Sequence, residues 1–282
     1  MEEKFFKGPT VYVEELSINV TDLHKSIDFY QSIIGFQVLE QTERTAKLSA
    51  NGKTTILTLE LPENVVKKEQ RTTGLYHVAV LLPNRQALSS FLEHVLRRGV
   101  HLGAADHAVS EALYLSDPDG NGIEVYCDRA STNWQWSGDQ VQMGTDPLNG
   151  DGLLAEIHEV WNGLPTETII GHIHLHVDRL ETAEAFYSKG LNFSVVARYP
   201  GALFTSTGGY HHHIGLNIWN GEGAPSPKTN SVGLNWFSLK FPDEDAREKA
   251  IERLKALGIE VATYSTYMDV KDPAGNTIRL TI

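Results

Sequence analysis

The stretch Asn19–Tyr30, NVTDLHKSIDFY, returns 157 positions later as His176–Tyr187, HVDRLETAEAFY. Phe29 falls on Phe186 and Tyr30 on Tyr187, and just beyond the stretch Phe36 falls on Phe193. A second pair of segments repeats at nearly the same spacing. Pro83 matches Pro242, and DPDGNGIEV from Asp117 matches DPAGNTIRL from Asp272. One shared helix can arise by chance, but four matched places at near-constant spacing are what an internal duplication leaves.

Working outward, four segments open at Glu14, Gly74, Gly171 and Leu234. Each reads as a strand, a helix and then three short strands. In the second, Val78, Val80 and Leu82 alternate as a strand does. Leu88, Phe91, Leu92 and Val95 then follow helical spacing, and Gly99 stands just past the last turn. The fourth repeats this with Ala246, Ala250, Ile251 and Leu254 before Gly258. Asn51-Gly52 and Asp119-Gly120 suit tight connections between strands. The expected fold is α+β, with four βαβββ modules forming two incomplete-barrel domains. Residues 1–129 hold units one and two, and residues 168–282 hold units three and four. The pattern breaks in residues 130–167, which read as a linker with a short helical piece at LLAEIHEV.

Composition narrows the function. Lys and Arg number 24 against 36 Asp and Glu, and a net charge of -12 counts against binding to a nucleic-acid backbone. No stretch approaches the eighteen apolar residues that a membrane span needs. The opening MEEKFFKGPT has no apolar run, so no leader is expected. One cysteine, Cys127, excludes an intrachain disulfide framework and points to a reducing compartment. A soluble cytoplasmic protein handling a small ligand is the expectation.

The twelve histidines suggest which ligand. His172, His174 and His176 alternate along one strand and so project from one face. His211, His212 and His213 are consecutive. His77 sits on the first strand of unit two, His107 in a loop before the strand EALYLSD, and Glu124 on that unit's last strand. Two imidazoles and one carboxylate make a site for divalent iron with positions left open for substrate and dioxygen. His24, His94 and His158 read as ordinary surface or structural residues.

The repeated unit resembles the vicinal oxygen chelate superfamily, which includes glyoxalase I, bleomycin-resistance proteins and type I extradiol dioxygenases. DHAVSEALYLSDPDGNGIE, from Asp106 to Glu124, resembles the extradiol dioxygenase signature, with His107, Leu113, Tyr114, Asp117, Pro118, Gly120 and Glu124 in register. Ala105 departs from it. Over its length the chain is similar to the bacillus-type catechol 2,3-dioxygenases. The resemblance implies a non-haem Fe(II) enzyme, with Mn(II) able to take the same ligands. Its substrates would be a small aromatic diol and dioxygen, and unpaired sheet edges would let copies of the chain associate.

Carried over residue by residue, the resemblance makes Glu124 and His77 metal ligands. Unit one has Glu15 at the position of the remaining histidine, and unit four has Trp236 there with Arg279 in place of Glu124. That leaves His172 of unit three, so the centre would lie between units two and three. Glu15 and His174 stand as alternatives to His172. The same resemblance places the acid–base histidine in GGYHHHIGLNIW, on His213 with His212 as second choice. It makes His107 and Tyr114 the residues that hydrogen-bond the bound ring oxygens. Asn217 and Trp219 are candidates for the pocket wall. A glyoxalase I-like lyase would need a second carboxylate. A metal-free bleomycin-resistance-type protein would instead use Trp134, Trp136 or Trp219 to stack on a ligand.

Overall fold

A computed structural model describes residues 1–156 and 159–282, so His158 lies outside the described residues. Unit one comprises β1 (Tyr12–Asn19), α1 (Leu23–Phe29), β2 (Gln37–Gln41), β3 (Thr45–Ser49) and β4 (Leu57–Glu60). Unit two comprises β5 (Gly74–Leu81), α2 (Arg85–Arg97), β6 (Gly103–Asp106), β7 (Ser110–Ser116) and β8 (Gly122–Asp128). A connection follows with β9 (Trp136–Ser137), β10 (Gln140–Val141) and α3 (Gly150–Leu154). Unit three comprises β11 (Ile169–His176), α4 (Leu180–Glu184), β12 (Ser194–Tyr199), β13 (Ala202–Ser206) and β14 (Ile214–Asn217). Unit four comprises β15 (Gly233–Lys240), α5 (Glu244–Ala256), β16 (Val261–Thr263), β17 (Met268–Lys271) and β18 (Thr277–Thr281). The connecting helix begins earlier than LLAEIHEV because Asn149 caps it, accepting from the Gly152 N–H at 2.9 Å.

Sixteen of the eighteen strands form two eight-stranded sheets, each taking one unit from each half of the chain, and β9 pairs with β10 apart from them. In the first, β1 runs antiparallel to β15 and so joins units one and four. In the second, β5 runs antiparallel to β11 and joins units two and three. Within each unit the first strand pairs in parallel with the last, as β5 does with β8.

Side-chain alternation gives each sheet two faces. In the second sheet Val78, Val80, Ile123, Val125, Ile173 and Leu175 enter the main core, together with Leu88, Phe91 and Val95 of α2. Each such buried side chain contributes about 1.5–3 kcal/mol. A shift of register between Ile170 and His172 lets Ile170 and Ile173 both face that core, and it turns His172 to the opposite side.

The repeated DPxGN turns are built alike. The Asp117 carboxylate accepts the backbone N–H groups of Asp119 and Asn121 and the Tyr30 hydroxyl. Asp272 accepts the N–H of Asn276 and the Tyr187 hydroxyl. Gly120 takes φ +80° in its turn, a conformation that favours glycine. At Gly122 a β-carbon would meet the Tyr76 carbonyl oxygen at 2.2 Å, so glycine permits the close approach of β8 to β5 beside His77. No helix among the described residues is long and apolar enough to cross a membrane.

Candidate metal centre

The face of the second sheet turned from the core carries the polar groups. His77 comes from β5 and Glu124 from the parallel neighbour β8. Tyr114 stands opposite Glu124 on β7, and His174 stands opposite His77 on β11. Glu124 Oε2 lies 3.0 Å from His77 Nε2 and 3.3 Å from His172 Nε2. One donor atom from each of the three residues falls within 4.8 Å of the others, and all three side chains are buried.

These residues fit a divalent cation. His77 Nε2 and both ring nitrogens of His172 are buried with no hydrogen-bond partner, since the short contacts to Glu124 are not aligned as hydrogen bonds. Unpartnered buried polar atoms are costly, and a bound ion would satisfy them. With bonds of roughly 2.1 Å, the ligand atoms of one ion stand about 3 Å apart. Burial opposes ionisation of Glu124, but His172 and His77 outweigh it and hold the carboxyl well below its usual range. Burial in turn pushes His172 down to about 4, which keeps it neutral, the form that binds a metal.

A cavity of about 430 Å³ opens onto this cluster. Ala104, Ala105, Met143 and Phe204 supply apolar wall, and half-exposed Tyr76, Tyr199 and Trp219 stand at its mouth. His107 and Tyr114 both line it. His107 Nδ1 is 2.6 Å from the Gly144 carbonyl, which can only accept, so this nitrogen carries the hydrogen. In the neutral ring Nε2 then accepts from the Tyr114 hydroxyl at 2.5 Å. Burial, reinforced by the charge of Glu124, drives the Tyr114 pKa up, so the free enzyme keeps this phenol protonated.

Of the two histidines considered for acid–base work, the structure brings His212 to the cavity and leaves His213 out of it. His213 is fully buried, with Nε2 3.0 Å from the Phe5 carbonyl and Nδ1 accepting from the Thr207 N–H at 3.4 Å. Phe6 and Tyr210 pack against its ring. The regular strand begins only at Ile214, so the bend before it, rather than strand alternation, decides where residues 211–213 point.

The remaining candidates fall on either side of the cavity wall. His174 lines it, but its Nε2 accepts from Asn217 Nδ2 at 3.0 Å, and His176 Nδ1–H donates to Asn217 Oδ1 at 2.7 Å. Asn217 therefore braces two histidines from outside the wall. Glu15 stands on the other sheet, beside Trp236 and Arg279 in a separate cavity of about 640 Å³. Trp134 is buried against Phe5 and Tyr210, Trp136 lies outside the cavity, and Trp219 is at its mouth. Sequence reasoning missed Tyr76 and Phe204 as wall residues. It also missed Asp128, which lies 2.9 Å from His211, although the run of three histidines was a signal that more than one had a task.

A family model described as the Glyoxalase/Bleomycin resistance protein/Dioxygenase superfamily matches residues 12–125 and 169–280. A Catechol-2,3-dioxygenase of Bacillus subtilis (strain 168) is 47% identical over 262 residues, covering 91% of this chain and 92% of that protein. Glyoxalase I from Zea mays superposes with a TM-score of 0.59 at 16% identity, over 96% of this chain and 92% of that one. The CppA protein from Streptococcus pneumoniae TIGR4 does so with 0.56 at 10% identity, over 96% and 99%. These last two likenesses concern the fold alone. With the repeated units, the paired sheets and a match running through both halves, the chain belongs to the glyoxalase, bleomycin resistance protein and dioxygenase superfamily.

Proposed function

We propose that this protein is an extradiol catechol 2,3-dioxygenase working in the cytoplasm. It opens the ring of catechol beside the diol, and both atoms of dioxygen end in the product, 2-hydroxymuconic semialdehyde. His77, His172 and Glu124 hold a non-haem Fe(II), and Mn(II) fits the same donors. The observation that carries the reading is the convergence of two imidazoles and one carboxylate in a cavity shared with the His107–Tyr114 pair. The 47% identity to a named Catechol-2,3-dioxygenase supports it.

His77, His172 and Glu124 would hold the ion, which would supply Lewis-acid binding of the diol and activation of dioxygen. Two neutral imidazoles and one carboxylate would leave a divalent ion a single net positive charge, which would favour a singly deprotonated diol. The chain's own residues do the rest. His212 takes the proton of a diol hydroxyl and returns one later, a role that suits imidazole. The Tyr114 hydroxyl, which donates to His107 Nε2, accepts from the diol hydroxyl that keeps its proton, and His107, anchored on Gly144, holds that phenol in place. Phe204, Met143 and Trp219 enclose the flat ring and keep bulk water from it.

A glyoxalase I-like lyase is disfavoured because Glu124 is the one carboxylate among the described residues lining this cavity. A metal-free binding protein leaves the unpartnered nitrogens of His77 and His172 without purpose. The test is oxygen uptake and yellow ring-fission product when catechol meets anaerobically Fe(II)-loaded protein, with His172→Ala run alongside. Uptake lost in a folded variant supports the reading. Loaded wild type that neither consumes oxygen nor colours, with catechol or with substituted diols, overturns it.

A further inference from the structure

His211 stands behind His212, fully buried. Its Nε2 is 2.9 Å from Asp128 Oδ1, and its Nδ1 is 2.8 Å from His212 Nδ1. The Asp128 carboxylate also accepts the Tyr210 hydroxyl, at 3.1 and 3.2 Å, so Tyr126 must donate to Tyr210 at 2.7 Å. A carboxylate only accepts, and the His211 nitrogen facing it therefore carries a hydrogen. With one hydrogen on the ring, its other nitrogen is an acceptor, and the 2.8 Å contact closes when His212 Nδ1–H donates to it. His212 is left with a bare Nε2, which has no hydrogen-bond partner among the described residues, on a ring that lines the cavity.

We propose that Asp128 and His211 are positioning residues that fix the tautomer and orientation of His212, so that its Nε2 lone pair faces the substrate hydroxyl. When that nitrogen takes a proton, the ring becomes cationic with its Nδ1–H already donated to His211, and the Asp128 charge stands behind the pair. The consequence for turnover rests on the dioxygenase reading. The tautomer itself is a property of the metal-free protein.

The first measurement is nitrogen NMR of metal-free protein labelled in histidine, at neutral pH. His212 is expected to be protonated at Nδ1 and bare at Nε2. Asp128→Asn offers an amide N–H to His211 and should turn both rings over, leaving His212 protonated at Nε2. In the iron-loaded enzyme the same variant should lose about a hundredfold in kcat, with KM for the diol within about threefold and bound iron unchanged. His211→Gln can accept from His212 and donate to Asp128, so it should stay within about tenfold of wild type, whereas His211→Leu should fall with Asp128→Asn.

Wild-type His212 protonated at Nε2 would overturn the proposal, as would unchanged kcat in a folded Asp128→Asn variant. Equal impairment of His211→Gln and His211→Leu would reduce the pair to packing. Should Asp128→Asn fail to fold, the wild-type spectrum and the two His211 variants still decide. If wild type cleaves no diol, the dioxygenase reading fails while the tautomer is judged by the spectrum alone.

Discussion

Glu124 and His172 belong to different halves of the chain, yet their carboxylate oxygen and ring nitrogen lie 3.3 Å apart with no water-facing surface between them. With His77 on the near side, the folded protein offers a donor set that the unfolded chain scatters. Bound metal should therefore stabilise the fold, by about 2.7 kcal/mol when free ion stands at a hundred times its dissociation constant. Calorimetry with and without a chelator should show the melting temperature rise with metal. His172→Ala should abolish that rise, and a variant that still responds would place the ion elsewhere.

His212 and His213 are neighbours in sequence with opposite expected behaviour. His212→Ala should lower kcat by at least about a hundredfold with little loss of stability. His213→Ala should leave kcat within about threefold. It should cost about 2–3 kcal/mol in urea unfolding, because the Phe5 carbonyl and the Thr207 N–H lose their buried partner.

The same residue shapes the acid limb of stability. Burial depresses His213 from 6.5 to about 3, with the Phe5 carbonyl opposing in part. The unfolded chain takes up a proton below pH 6.5, and the folded one does not until far lower. Its contribution is thus complete above pH 6.5 and is lost as pH falls toward 3, at up to about 1.4 kcal/mol per pH unit. His213→Gln should flatten the dependence of unfolding free energy on pH in this window by about one proton. An unchanged slope would count against a neutral buried ring.

Tyr114→Phe removes the hydroxyl that His107 Nε2 meets at 2.5 Å. The expected outcome is a drop of about tenfold in kcat/KM, the equivalent of roughly 1.4 kcal/mol, with metal content unchanged. Steady-state kinetics beside an iron assay would check both parts.

Asp117 and Asp272 form a matched pair with separable effects. Each replacement by Ala should cost about 2–4 kcal/mol, since each strands buried N–H groups and a tyrosine hydroxyl. Asp117→Ala should also weaken metal binding, because its turn feeds β8 and Glu124. Asp272→Ala should not, and metal titration of the two variants would show the difference.

The repeat, the four units and the two-faced strands were legible because alternation and helical spacing are local. Placing the centre between units two and three rests on the family's ligand pattern carried onto His77, Glu124 and His172, with Trp236 and Arg279 standing at those positions in unit four; the pairing of β5 with β11 puts units two and three in one sheet. The resemblance puts His213 first and His212 second, and the cavity reverses that order: β14 begins after His213, so no strand alternation orients residues 211–213. Phe5, arriving from the far N-terminus to accept from His213, is a long-range contact that no local pattern announces. The tie between Asp128 and His211 likewise joins residues 83 apart.

Because each sheet is shared between the halves through β1 with β15 and β5 with β11, the molecule is interlocked rather than strung together. Cutting the connection between the halves would release no separate domain. The two fragments would remain clasped by both sheets, and either one alone would bear two open sheet edges and an incomplete donor set. A gene of half this length could reach the same architecture only as a pair of chains. Within one polypeptide the two sheets need not match: one carries His77, Glu124 and His172, and the other carries Trp236 and Arg279.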